Sequence, residues 1–204
     1  KILNTEYIDI FWLHRDNEKI DVEYIIDYMN CFIQAGLIKT FGASNWKSSR
    51  IKKANNYATK NGLNGFSAAQ LQWSLGNPNE DYYKKYNMLY MTKGEYDFYR
   101  RSKFPVFAYS SQSKGIFYKM DQNKKINQRE SIFFNETNEL LYHEIKKIVK
   151  NEYPIAYPLL SFIRDGELNA IPIVGASSAI QIKEAMDSEK YHIDKEHRRR
   201  DKIR

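Results

Sequence analysis

The chain has 204 residues, 42% of them hydrophobic and 15% aromatic, which is enough to bury the core of one large domain and too apolar for a disordered segment. No apolar run approaches the roughly 20 residues of a membrane span, no signal-peptide pattern opens the sequence, and a single cysteine, Cys31, allows no intrachain disulfide, so a cytoplasmic protein is expected. The net charge of +7 does not by itself indicate nucleic acid, because residues 195–204 (KEHRRRDKIR) contribute +4 of it.

The first predicted element is a strand over residues 7–14 (YIDIFWLH), β-branched and aromatic, stopping at the polar cluster His14-Arg15-Asp16-Asn17. It reads as a buried parallel strand with His14 at its C-terminal tip, although a lone histidine at a strand end is more often a hydrogen-bonded structural residue. Residues 22–34 place Ile25, Ile26, Met29, Phe32 and Ile33 at helical spacing, with Cys31 expected on the buried face and Ala35-Gly36 closing the helix. A second strand, 38–46, ends in Ser44-Asn45-Trp46, and a helix over 48–62 follows with Ile51, Ala54, Tyr57 and Ala58 inward.

The third strand, 66–73, carries Gln70 as its first large polar side chain. Residues 77–103 are tyrosine-rich and irregular, with helical turns expected at 88–91 and 95–101. A fourth strand, 105–110, runs into Ser111-Gln112-Ser113-Lys114-Gly115. Residues 120–135 show no hydrophobic period and read as an exposed excursion. Helices are expected over 138–150 and over 155–164, the latter interrupted near Pro158, and a last strand, 170–174, precedes a helix over 179–186.

Strand and helix alternating five times with short links predict an α/β fold with a parallel sheet, either of (β/α) barrel type or doubly wound. Five strands suit an open sheet and are too few to close an eight-stranded barrel. The four histidines, His14, His143, His192 and His197, are scattered and give no metal spacing, so no metal site is expected.

The five strand tips read LHRD, GASNW, QLQWS, AYSSQSKG and PIVGASSAIQIKEA. In that order and at βα spacing, over residues 6–187, the series resembles the C-terminal part of the aldo-keto reductases, from the fourth barrel strand onward. The resemblance implies a partial TIM-type barrel of about five of eight units over residues 1–188, followed by a basic tail, 189–204. It implies that His14 orients a substrate carbonyl, that Ser44, Asn45 and Gln70 hold a nicotinamide carboxamide, and that Tyr109 stacks on its ring. Ser110, Gln112, Ser113, Lys114 and Gly115 then lie against the pyrophosphate, and Gly175, Ser177, Gln181 and Glu184 meet the adenosine end. Individually these residues have plainer readings: Ser44-Asn45 as a helix N-cap, Gln70 as the partner of a neighbouring strand end. Trp12, Trp46 and Trp73 line the substrate pocket in one reading and are ordinary core in the other.

The implied activity is hydride transfer from NAD(P)H to an aldehyde or ketone. The implied cofactor is NADPH, with NADH open because Gln181 stands where some members use arginine against a 2′-phosphate and Ala185 where the family often has asparagine. The aspartate, tyrosine and lysine that tune the family's proton donor belong to its first strands, and none of the sixteen tyrosines here matches that donor. The expectation is therefore a truncated chain, inactive alone, that associates through open sheet edges or with the units it lacks. A non-catalytic nicotinamide-nucleotide-binding relative is the alternative.

Overall fold

The computed structural model describes residues 3–86, 88–128, 130–149 and 152–193. Five strands, β1 (Ile8–Leu13), β2 (Ile38–Ser44), β3 (Ala69–Gln72), β4 (Val106–Tyr109) and β5 (Ala170–Pro172), form one sheet in the order β1-β2-β3-β4-β5. Every neighbouring pair is parallel. The connections carry α1 (Val22–Gln34), α2 (Ser48–Lys60), α3 (Glu80–Lys85), α4 (Lys93–Ser102), α5 (Ile116–Asp121), α6 (Glu136–Val149) and α7 (Ala156–Arg164), and α8 (Ala179–Asp187) follows β5. Strictly sequential order has no reversal point, so the sheet is of barrel type and not doubly wound. It does not close: among the described residues β1 and β5 are both edges.

Alternation along each strand sets the two faces. Phe41 and Ala43 of β2, Ala69 and Leu71 of β3, and Val106 and Ala108 of β4 are buried in a core with Ile26 and Met29 of α1, Ile51, Ala54 and Ala58 of α2, Tyr99 of α4, and Phe162 and Ile163 of α7. Residues between them point the other way. There the Trp12 ring lies against Gly42 of β2, where a Cβ would come within 2.3 Å of the indole, and meets Phe107 of β4 edge-on at 5.1 Å. Gly42 is thus required as an empty position. A second core joins Tyr83, Ile116, Phe117, Phe133, Ile145, Val149 and Leu159 beneath the later helices.

Several expectations are corrected. Strand β1 is an edge strand with Asp9 and Phe11 exposed, not one buried on both faces. Cys31 faces solvent on α1. Residues 88–91 are not helical: Tyr90 bridges Gln72, and Met91 N–H donates to the Gln72 carbonyl at 2.9 Å. The 120–135 excursion is anchored, because Ile132 and Phe133 enter the second core and Glu130 accepts from Lys119 Nζ at 2.8 Å. Helix α7 is unbroken, since Pro158 sits at its third residue, where an N–H has no intrahelical acceptor in any case. Residues 188–193 pack against α7: Arg164 donates to the Ser188 and Tyr191 carbonyls, and Ile193 is buried. The run 195–204 lies outside the described residues.

Candidate functional site

Parallel strands bring their C-terminal ends to one edge of the sheet, and four consecutive ends are hydrogen-bonded to each other. Ser44 pairs in register with Gln70 across β2 and β3, and its hydroxyl donates to Gln70 Oε1 at 3.3 Å. Asn45 takes a left-handed conformation, φ +58°, that asparagine tolerates better than most residues. The turn aims its amide back across the strand ends. Nδ2 donates to the His14 carbonyl at 3.3 Å and to Ser44 Oγ at 3.1 Å. Oδ1 accepts from the Tyr109 hydroxyl at 2.8 Å and from Leu89 N–H at 3.2 Å. His14, Ser44, Asn45, Gln70 and Tyr109 are therefore brought together. Burial pushes the Tyr109 hydroxyl well above the usual tyrosine range, with the nearby Arg15 guanidinium opposing the shift, so this group is a hydrogen-bond donor at any physiological pH.

The loop after β4 is a run of left-handed residues, Ser110, Ser113, Lys114 and Gly115, at φ +51°, +50°, +53° and +85°. Ser113 turns inward: it is fully buried and its hydroxyl donates to Ser74 Oγ at 3.1 Å, which in turn donates to the Gly76 carbonyl. Half-buried Ser110, Gln112, Lys114 and Gly115 remain at the surface, with Lys114 Nζ 5.7 Å from the Tyr82 ring. After β5, Gly175 and Ser177 are exposed and Gln181 and Glu184 half-buried. Gln181 Oε1 accepts from the Ser177 N–H at 2.8 Å and from its hydroxyl at 3.0 Å, while Ser178 caps α8 through Gln181 N–H. These residues form a second group by α8, separate from the four-strand cluster in hydrogen bonding.

The three tryptophans divide. Trp12 is half-buried on the cluster face. Trp46 is 2% exposed beside Phe66, and Trp73 is 4% exposed between Tyr96 and Phe162, so both are buried in the first core. Other contributors had no signal in the sequence. Leu89 reaches Asn45 from the irregular segment before α4. Arg50 of α2 donates through Nε to Asp16 at 2.9 Å and through Nη2 to the Asn17 and Ile20 carbonyls at 3.2 and 2.5 Å. It thereby clamps the loop that carries His14. Among the described residues no cluster of histidine, cysteine and carboxylates could hold a metal.

A singly wound parallel sheet with its polar cluster at the strand ends defines the class: a (β/α) barrel-type protein, whose characterised enzymes work at that face. The chain belongs to the aldo/keto reductase family, whose model matches residues 1–202. It is 31% identical over 75 residues to a putative aryl-alcohol dehydrogenase of Saccharomyces cerevisiae, a stretch covering 37% of this chain and 20% of that protein. It is 32% identical over 72 residues to norsolorinic acid reductase of Aspergillus flavus, covering 35% of this chain and 19% of that one. The crystal structure of the thermostable aldo-keto reductase Tm1743 with the inhibitor epalrestat superposes with a TM-score of 0.69 at 17% identity, over 97% of this chain. The chain spans 60% of the length of that structure.

Proposed function

We propose that the chain supplies the histidine and most nicotinamide-nucleotide contacts of an oxidoreductase that reduces an aldehyde or ketone with NAD(P)H. The observation that carries this reading is the hydrogen-bonded cluster of His14, Ser44, Asn45, Gln70 and Tyr109 across four adjacent strand ends. A carboxamide has one acceptor and two donors, and Ser44 and Gln70 together offer a hydroxyl and an amide that match it. Asn45 already uses both ends of its amide, so its part is to hold His14, Ser44 and Tyr109 in one frame. The half-buried Tyr109 ring is the aromatic plane beside them. The bound nucleotide would supply the hydride; these residues orient its ring and the carbonyl.

Backbone N–H groups and Lys114 in the 110–115 loop would meet the pyrophosphate, and Gly175, Ser177, Gln181 and Glu184 the adenosine end. NADPH is the expected cofactor on family grounds. Gln181 is neutral and tied to Ser177, and Lys183 is paired with Asp187 at 2.6 Å, so discrimination against NADH should be weak. No tyrosine of this chain is assigned as proton donor, and its absence would forgo the ~10²–10⁴-fold that positioned acid catalysis contributes. In a fluorescence titration the 204-residue chain should bind NADPH without oxidising it. Supplied with the first three βα units of a family member, in trans or fused, it should oxidise NADPH with simple aldehydes. Binding without turnover in the completed protein would favour a non-catalytic nucleotide-binding relative, and no binding in either form would overturn the reading.

A further inference from the structure

Arg15 follows His14 off the end of β1 and is exposed. Its Nη1 donates to the Tyr86 carbonyl at 3.0 Å, which ties the guanidinium to the segment that also delivers Leu89 to Asn45. The adjacent carboxylate is not its partner, because Asp16 lies 2.7 Å from Arg50 Nε. Among the described residues no carboxylate lies within ion-pair distance of Arg15. An arginine is charged at all working pH values and presents five N–H donors in a planar fork, of which the Tyr86 carbonyl engages one. The segment it is tied to carries a tyrosine pair, Tyr82 and Tyr86, whose rings lie 4.7 Å apart. Its field reaches the Tyr109 hydroxyl, and that hydroxyl is joined through Asn45 to the His14 carbonyl. The cation therefore leaves the same strand end as His14 and is tied to the segment that delivers Leu89 to the cluster.

Arg15 leaves a different strand end from the loops assigned to the nucleotide phosphates, which follow β4 and β5 while Arg15 follows β1, three strands away in the sheet. Lys114 of the β4 loop lies 5.7 Å from the Tyr82 ring, which neighbours Tyr86, so the NADPH affinity of the Arg15 variants is what distinguishes a substrate anion from the nucleotide phosphate. Resting on the reductase reading above, we propose that Arg15 is a specificity-determining residue that selects carbonyl substrates bearing a carboxylate or other anionic group, which pairs with its free N–H fork while the carbonyl lies toward His14. A fork of this kind matches a planar carboxylate in two parallel hydrogen bonds, stronger than neutral ones.

The test measures binding of 4-formylbenzoate and of its uncharged counterpart 4-formylbenzamide to the 204-residue chain, by calorimetry with and without saturating NADPH. The charged aldehyde should bind about tenfold more tightly. Arg15→Ala should bring the two to parity, Arg15→Lys should keep part of the preference, and both variants should retain the parent's circular dichroism and NADPH affinity. Equal affinities in the parent, or a preference that survives Arg15→Ala, overturn this inference and leave the reductase reading intact. Failure of NADPH to bind either this chain or the completed protein overturns both.

Discussion

Asn45 is the junction of the strand-end cluster, donating to two strand ends and accepting from Tyr109 and Leu89. Asn45→Ala removes all four bonds and places a non-glycine, non-asparagine residue at φ +58°. It should destabilise the chain by about 2 kcal/mol in urea denaturation and weaken NADPH binding at least tenfold. Tyr109→Phe deletes the hydroxyl's bond to Asn45 Oδ1, an oxygen that keeps the Leu89 N–H, together with its longer contact to the Leu89 carbonyl at 3.3 Å, and should cost about 1 kcal/mol. If Asn45→Ala is no worse than Tyr109→Phe, the junction role is wrong. The five cluster residues were legible in the sequence, because a polar residue ending an apolar strand has one place to go in a parallel sheet. Their bonds to one another were not, since these depend on the left-handed turn at Asn45 and on Leu89, which belongs to no periodic element.

Among elements, α2 shows how distant parts of the chain fix the cluster. Its N-cap residue, Lys47, offers no side-chain acceptor, and the first N–H groups of a helix lack intrahelical partners. Glu95 of α4 fills the gap, both carboxylate oxygens 3.2 Å from Ser48 N. Burial raises the Glu95 carboxyl above the ordinary glutamate value, against the pull of the Ser48 bonds. A raised folded value means that the folded chain holds the proton more tightly than the unfolded one. The resulting stability is fully present below pH 4.5 and is lost as pH rises through the raised value. Glu95→Gln should flatten that slope in urea midpoints measured from pH 4 to pH 8, and an unchanged slope would rule Glu95 out as its source. Helices α1 and α2 were readable from apolar spacing because each lays one stripe on the sheet. Residues 88–91 and 120–135 were misread because their conformation comes from partners, Gln72 for one and the second core for the other.

At the scale of the whole molecule, the sheet ends, among the described residues, in two unpaired edges. Beside β1 stand exposed Tyr7, Phe11 and Leu37, with an apolar groove of about 300 Å³ lined by Leu3, Tyr7, Ile8, Phe11, Phe32, Leu37 and Ile38. Beside β5 stand exposed Ile171, Ile173 and Val174, and α8 exposes Ile180, Ile182 and Met186 while fully burying no residue. Open parallel edges flanked by apolar side chains invite further strands. Light scattering behind size exclusion should show the 204-residue chain associating with rising concentration, and Phe11→Lys combined with Ile180→Lys should return it to monomer. A monomer at every concentration would show that these edges are tolerated bare. No described helix is long and apolar enough to cross a membrane, so α8 is not a spanning segment.

The empty position at Gly42 has an optical consequence. It lets the Trp12 indole lie across a neighbouring strand on the same face as Gln70 and Tyr109, while the other two indoles are sealed away from solvent. Emission from Trp46 and Trp73 should therefore be a constant blue background, and any change in colour or intensity when a molecule settles at the strand tips should come from Trp12. The protein carries its own reporter, and Trp12→Phe should silence it.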